Sequence, residues 1–210
     1  SAIVDEKYES NNTISKNLKK FFDTKEEFYF YPAQYWSHKN HVYILEVIKF
    51  IKEKYNINIK FVFTGSKKQN YKKINETIEK LNLKEQVILL EYLSDYEIKQ
   101  LYKNCNALVM PSLIGYSSLP LYEAFFFKKP VFYTKNLLEE NLKDLVTEID
   151  INDVNSLANE IINFQKNKTN LITKAEKAKK FFEENLTDEK ISENYKAVFK
   201  KLVNSKKIYS

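Results

Sequence analysis

The stretch that decides the fold is "ALVMPSLIGYSSLPLYEAFFFKKPVFYT", residues 107–134. A short apolar run (107–111) leads into small, turn-forming residues, then a helical pattern from about Leu119, then a second apolar run (130–134). Neither run shows the polar alternation of a half-exposed strand, so both belong in a sheet covered on its two faces. One acid, Glu123, stands in the first turns of the helix among Leu, Tyr, Ala and Phe. An acid there complements the helix dipole by ~0.3–1 kcal/mol, which explains a carboxylate in general but not one with apolar neighbours.

The same alternation extends outward. "FYFYPAQ" (28–34), "INIKFVFTG" (57–65) and "QVILLEYL" (86–93) read as strands, and "LVTEID" (145–150) as a short further one. Between them, Ile44, Ile48, Ile51 and Tyr55 recur at helical spacing, as do Ile74, Ile78 and Leu81, and then Ile98, Leu101, Tyr102 and Cys105. Ser94 and Glu97 form a capping-box pair. Beyond 150 the chain is helical: a stripe of Val154, Leu157, Ala158, Ile161 and Ile162, a lysine-rich helix near 170–185, and a last helix marked by Ile191, Tyr195, Val198 and Leu202. The expected fold is α/β: a Rossmann-like, doubly wound parallel sheet of about six strands with helices on both faces and a helical C-terminus. Residues 1–25 are polar and aperiodic and read as a linker or interdomain segment, with a helical turn near 18–22; residues 26–210 form the domain.

Composition narrows the function. The 210 residues carry a net charge of +6, and every basic residue apart from the two histidines is lysine. A nucleic-acid reader relies on arginine, whose planar fork matches phosphates and guanine edges, so no nucleic-acid partner is expected. A weak attraction to anionic lipid or to phosphorylated ligands stays open. No apolar run approaches the ~20 residues of a membrane span. The single cysteine, Cys105, permits no internal disulfide and fits a reducing cytoplasm and a packed core thiol.

In this fold a ligand sits beyond the carboxyl ends of the strands, and the unusual residues gather in those loops. "YWSHKNH" (35–41) holds the only tryptophan and both histidines around Lys39. It reads either as a capped helix start or as a loop that sets Lys39 against a phosphate; one distant cysteine makes a zinc site untenable. "TGSKK" places Gly65 and Ser66 where the backbone turns or lets a ligand approach. The chain has two glycines, and the other, Gly115, opens "GYSSLP". There Gly115, Tyr116, Ser117, Ser118 and Leu119 precede Pro120, with free backbone N–H groups and two hydroxyls suited to an anion. A carboxylate such as Glu123 can accept both hydroxyls of a vicinal diol, as on a ribose. Neither G-x-G-x-x-G nor a Walker A sequence occurs, which argues against hydride transfer and ATP hydrolysis. "DIND" (150–153) resembles a divalent-metal Asp-x-Asp but reads as a helix cap, and both histidines lie in one loop, so no Ser-His-Asp triad can be assembled.

Taken together, "YPAQYWSHKNH", "VFTGS" and "QVILLEYLSDYEIKQLYKNCNALVMPSLIGYSSLPLYEAFFFKKPV" resemble the C-terminal, donor-binding half of family 4 (group 1) glycosyltransferases, retaining enzymes of the GT-B fold. The resemblance runs from about Tyr29 to Val131 and continues more weakly to the C-terminus. It implies that Glu123 is the second acid of a Glu-x7-Glu motif and binds the nucleotide ribose, and that Lys39 contacts the diphosphate. Gly115 falls where the first acid, which touches the donor sugar, usually stands. Gln34 lies in the region of a missing arginine, and Tyr92 and Leu93 would flank the base through backbone contacts, with Glu91 in place of a usual glycine. The resemblance further implies a nucleotide-sugar donor as substrate, no cofactor and no metal. It implies a bacterial surface glycan or lipid-linked glycan as acceptor, held by an N-terminal domain for which this chain has no room. The full protein would then act in the cytoplasm, at the inner face of the membrane, and the isolated domain would catalyse little. No residue here is assigned as a catalytic base. A non-catalytic nucleotide or nucleotide-sugar binding module is the alternative reading.

Overall fold

The computed structural model describes residues 13–115, 119–193 and 196. Six strands form one all-parallel sheet: β1 Phe28–Pro32, β2 Lys60–Thr64, β3 Val87–Leu90, β4 Ala107–Met110, β5 Val131–Thr134 and β6 Thr147–Ile149. Their order is β3-β2-β1-β4-β5-β6, so the direction of winding reverses between β1 and β4. That reversal parts the loops after these two strands and opens a crevice at their carboxyl ends. The α/β Rossmann-like class expected from the sequence is the class observed.

Helices surround the sheet: α1 Lys16–Asp23, α2 His41–Tyr55, α3 Tyr71–Lys80, α4 Asp95–Asn104, α5 Leu119–Phe126, α6 Val154–Lys166 and α7 Thr169–Asn185, and residues 188–193 are helical as well. α2 packs on α3 and α6 on one face. On the other, α5 packs on α7, and Tyr102 of α4 stacks on Phe127 just beyond α5, with ring centroids 5.4 Å apart. β1 shows why the central strands are apolar throughout. Phe30 points at Tyr102, Tyr31 at His41 of α2, and both faces are covered.

The observed elements are shorter than the apolar runs that announce them. Ala33 and Gln34 leave the ladder after Pro32, and residues 57–59 precede it. The helix expected near 170–185 is α7, whereas of the last expected helix only Ile191 lies within the described residues, Tyr195, Val198 and Leu202 lying outside them. A short 3-10 segment, Glu140–Leu145, fills the connection between β5 and β6, where the sequence shows no period. At the amino end, Leu18 of α1 is buried, Phe21 meets Phe28 edge to face, and the Ser15 N–H donates to Glu97 of α4 at 2.9 Å. Ser94 and Glu97 make the reciprocal capping box, and Asp153, the last acid of "DIND", caps α6 by accepting from the Asn155 N–H at 2.9 Å.

Candidate functional site

The loop after β1 runs from Ala33 through a single 3-10 turn, Ser37–Lys39, to Asn40, which takes a left-handed conformation and starts α2. Side chains of β1 and β5 and backbone carbonyls of β2 and β3 hold it. The Tyr31 hydroxyl donates to the Lys39 carbonyl at 2.9 Å and meets the Ser112 hydroxyl at 3.1 Å. Thr134 donates to the Ser112 carbonyl at 2.9 Å, so β5, the loop after β4 and the loop after β1 are joined in series. The Leu113 N–H donates to the His38 carbonyl at 2.8 Å. On the other flank Tyr35 donates to the carbonyls of Phe63 and Leu90, tying the same loop to β2 and β3.

The result is a cleft of about 370 Å³ at the β1/β4 crevice, lined among others by Pro32, Gln34, Trp36, Lys39, Met110 and Pro120. Gln34 accepts from the Trp36 indole N–H at 3.1 Å. Lys39 is half-buried; burial lowers its ammonium pKa, and no carboxylate pairs with it among the described residues. A partly desolvated cation facing a cleft without a counter-ion is stabilised by an arriving anion. Behind it, His41 is fully buried between Tyr31, Tyr35 and Phe63. Neither ring nitrogen has a well-aligned hydrogen-bond partner. Burial drives its pKa down to about 3, only partly offset by the nearby Ala33 backbone and reinforced by the charge of Lys39. His41 is therefore a neutral packing element of the loop.

On the β4 side the chain leaves the sheet at Pro111 and Ser112 and turns at Gly115, whose φ of +108° is a conformation that side-chain-bearing residues rarely adopt. Tyr116, Ser117 and Ser118 lie outside the described residues. α5 then opens at Leu119 and Pro120, and one turn on, Glu123 is buried at 5 % exposure. Its Oε2 accepts from the Tyr102 hydroxyl at 2.8 Å. Burial first, and then the Glu123 charge, raise the Tyr102 phenol well above its ordinary range, so it remains the donor. The carboxylate that looked misplaced in an apolar helix thus has a dedicated tyrosine.

The remaining sequence candidates lie on the same edge without lining this cleft. Gly65 is accounted for by chain packing, because a Cβ there would meet the Ala33 carbonyl oxygen at 2.6 Å and the Gln34 Cα at 2.7 Å. The Ser66 carbonyl accepts from the Tyr35 N–H. Tyr92 is 94 % exposed, Leu93 is half-buried, and Glu91 pairs with Lys67. Sequence period alone makes Tyr31 and Tyr102 members of an apolar strand and an apolar helix face. The available signal was their hydroxyls, since a buried tyrosine needs a partner that phenylalanine does not. Among the described residues, five of the exposed large apolar side chains, Trp36, Tyr92, Leu113, Ile114 and Leu119, stand in loops or at a helix start on this edge; only Ile172 and Ile191 lie elsewhere.

A parallel sheet of this order, its winding reversed between β1 and β4, defines a Rossmann-like domain. The family model for glycosyl transferases group 1 matches residues 13–195, and the chain belongs to that family. Among solved structures it is similar to sucrose-phosphate synthase from Thermosynechococcus elongatus (TM-score 0.74, 16 % identity, covering 91 % of this chain and 49 % of that one). It is also similar to Anabaena HepE in complex with UDP and glucose (TM-score 0.71, 16 % identity, 88 % and 53 % covered). A third likeness is to the C-terminal domain of a group 1 glycosyl transferase, LpcC, from Francisella tularensis (TM-score 0.67, 15 % identity, 83 % and 95 % covered). The chain spans about half the length of the first two and has the Rossmann-like fold of half a GT-B architecture. Among curated proteins no match was found.

Proposed function

We propose that this domain binds the nucleotide-sugar donor of a retaining glycosyltransferase. The observation that carries the reading is Lys39, half-buried at the switch point, facing the cleft with no carboxylate beside it. A diphosphate would take that position, its ribose would reach Glu123, and the base would lie toward Tyr92 and Leu93. Gln34 and the α5 start would complete the phosphate contacts, with Gly65 and Ser66 supporting the Ala33–Tyr35 segment from behind. HepE, of similar fold, was solved with UDP and glucose, which supports a nucleotide-sugar as the ligand class.

In a longer protein, a second Rossmann-like half would cover the apolar carboxyl edge and bring a surface-glycan acceptor to the sugar. A β-phosphate oxygen would accept the acceptor's proton, so the chemistry requires no side-chain base in this half. Calorimetric titration of the chain with UDP-, GDP- and ADP-sugars tests the binding step. We expect saturable binding that weakens at least tenfold in Lys39→Ala; an unchanged affinity would overturn the assignment. Gly115 favours a second reading, a binding module without transfer. Its φ of +108° suits glycine and disfavours the acid that usually contacts the sugar. Sugar release from the donor by the longer protein, followed with and without acceptor, separates the two.

A further inference from the structure

The amino edge of the sheet, opposite the cleft, carries a second polar pocket of about 370 Å³ between the starts of β1 and β2 and the end of α6. Its volume lies within the ~300–1,000 Å³ of small-molecule sites. Two of its lining residues carry a buried group without a hydrogen-bond partner among the described residues: the Tyr29 hydroxyl, on a residue 2 % exposed, and Gln86 Oε1, on a residue 4 % exposed. The Gln86 amide ends at its wall, because Nε2 donates to Asn58 Oδ1 at 3.1 Å and Asn58 also lines the pocket. Burial first, and then the charge of Glu27, another lining residue, keep the Tyr29 phenol protonated. A buried polar group left unpaired costs ~1–3 kcal/mol, so two on residues lining one pocket point to a ligand that satisfies them.

The pairing around them selects its chemistry. Glu26 is engaged by Lys60, and Glu27 by Lys168 at 2.7 Å and by the Asn106 amide at 3.0 Å, so two of the three lining carboxylates already have cations. Amides supply much of the rest: Asn58, Gln86, Asn106 and Gln165. Apart from Glu85, which is exposed, what is left over on the buried residues is one acceptor, Gln86 Oε1, and one protonated hydroxyl, Tyr29. An ammonium could donate to the first but could not accept from the second, and a carboxylate or phosphate would do the reverse. An alcohol does both, and amide side chains, with donor and acceptor together, suit the same group. Among the described residues no cluster of His, Cys, Asp and Glu could hold a metal ion.

We infer that this pocket is a second binding site, separate from the donor cleft, for a neutral polyhydroxylated ligand of the size of a mono- or disaccharide. One sugar hydroxyl donates to Gln86 Oε1 and another, or the same one, accepts from Tyr29. The site does not depend on the reading of Lys39 and Glu123.

The test is a titration of the 15N-labelled 210-residue chain with methyl α-glucoside and with maltose, followed by amide shifts. The expected result is saturable shifts at Asn58, Gln86, Asn106 and Gln165 with none at Gln34 or Lys39. Tyr29→Phe and Gln86→Leu should each weaken binding about tenfold, one hydrogen bond's worth, with the melting temperature unchanged or raised. If Gln86→Leu does not fold, Gln165→Ala at the exposed rim replaces it. The inference is overturned by the absence of saturable shifts, by shifts confined to the carboxyl edge, by an equal response to lysine or phosphate, or by unchanged affinity in the variants.

Discussion

Glu123 and Tyr102 show how a buried acid is held in an apolar helix. A carboxylate at 5 % exposure survives because its Oε2 accepts a hydrogen bond of 2.8 Å from a phenol; bonds to charged groups contribute ~1.5–3 kcal/mol. Tyr102→Phe should therefore lower stability by about 1–3 kcal/mol in chemical denaturation. If Glu123 holds a ribose, the same change should weaken UDP several-fold while leaving pyrophosphate binding unaltered, and Glu123→Ala should do so more strongly. A loss shared equally by UDP and pyrophosphate would refute a ribose role. His41 gives a pH signature. Its folded pKa of about 3 lies below the unfolded value of ~6.5, so between these the unfolded chain binds a proton that the native chain does not. Stability at neutral pH is then lost as pH falls through 6.5, by up to ~1.4 kcal/mol per pH unit, and the loss levels off below about 3. His41→Phe should flatten the decline between pH 6.5 and 5.5, above the carboxylate range, in urea titrations at each pH. The sequence marks Glu123 as a charge among apolar neighbours, and Lys39 as the cation of a loop that gathers the only tryptophan and both histidines. It did not reveal that tyrosines hold them, because Tyr31 and Tyr102 obey the same hydrophobic period as their core neighbours, and only three-dimensional proximity pairs their hydroxyls.

At the scale of elements, strand and helix order was legible because the sheet is parallel and covered on both faces, so each strand is a continuous apolar run. Ends were less legible, since burial continues past the last ladder bond, as at Ala33. The connections reveal how a chain with two glycines turns. Asn56, Asn82, Lys25 and Lys128 follow α2, α3, α1 and α5 at φ between 52° and 55°, a left-handed region that asparagine tolerates and lysine disfavours. Lys25→Gly relieves that strain and should raise stability by up to about 1 kcal/mol, net of the entropy glycine adds to the unfolded chain; a fall in melting temperature would refute it. The capping box has a double load. Glu97 accepts from the Ser94 N–H and hydroxyl and, at 2.9 Å, from the Ser15 N–H ahead of α1. Ser94→Ala should cost ~1 kcal/mol, whereas Glu97→Ala should cost more and also speed amide exchange in α1, because it releases that attachment.

For the molecule as a whole, the distribution of apolar surface is more informative than its amount. No helix among the described residues is long and apolar enough to cross a membrane, and the lysines are spread among many exposed ion pairs. Yet Trp36, Tyr92, Leu113, Ile114 and Leu119 all stand at the carboxyl edge around the cleft. Side chains that contribute little burial to this domain should matter little to its stability, and surface changes of this kind usually stay within ±0.5 kcal/mol. The pair Leu113→Ser and Ile114→Ser should thus leave the melting temperature and UDP affinity of the 210-residue chain nearly unchanged. If a second Rossmann-like half closes over this edge, the same pair in a longer protein should lower sugar transfer severalfold, through closure rather than through donor binding. A parallel loss of stability in the short chain would make these residues part of its own core instead. Unchanged transfer in the longer protein would mean that the face serves something other than the second half.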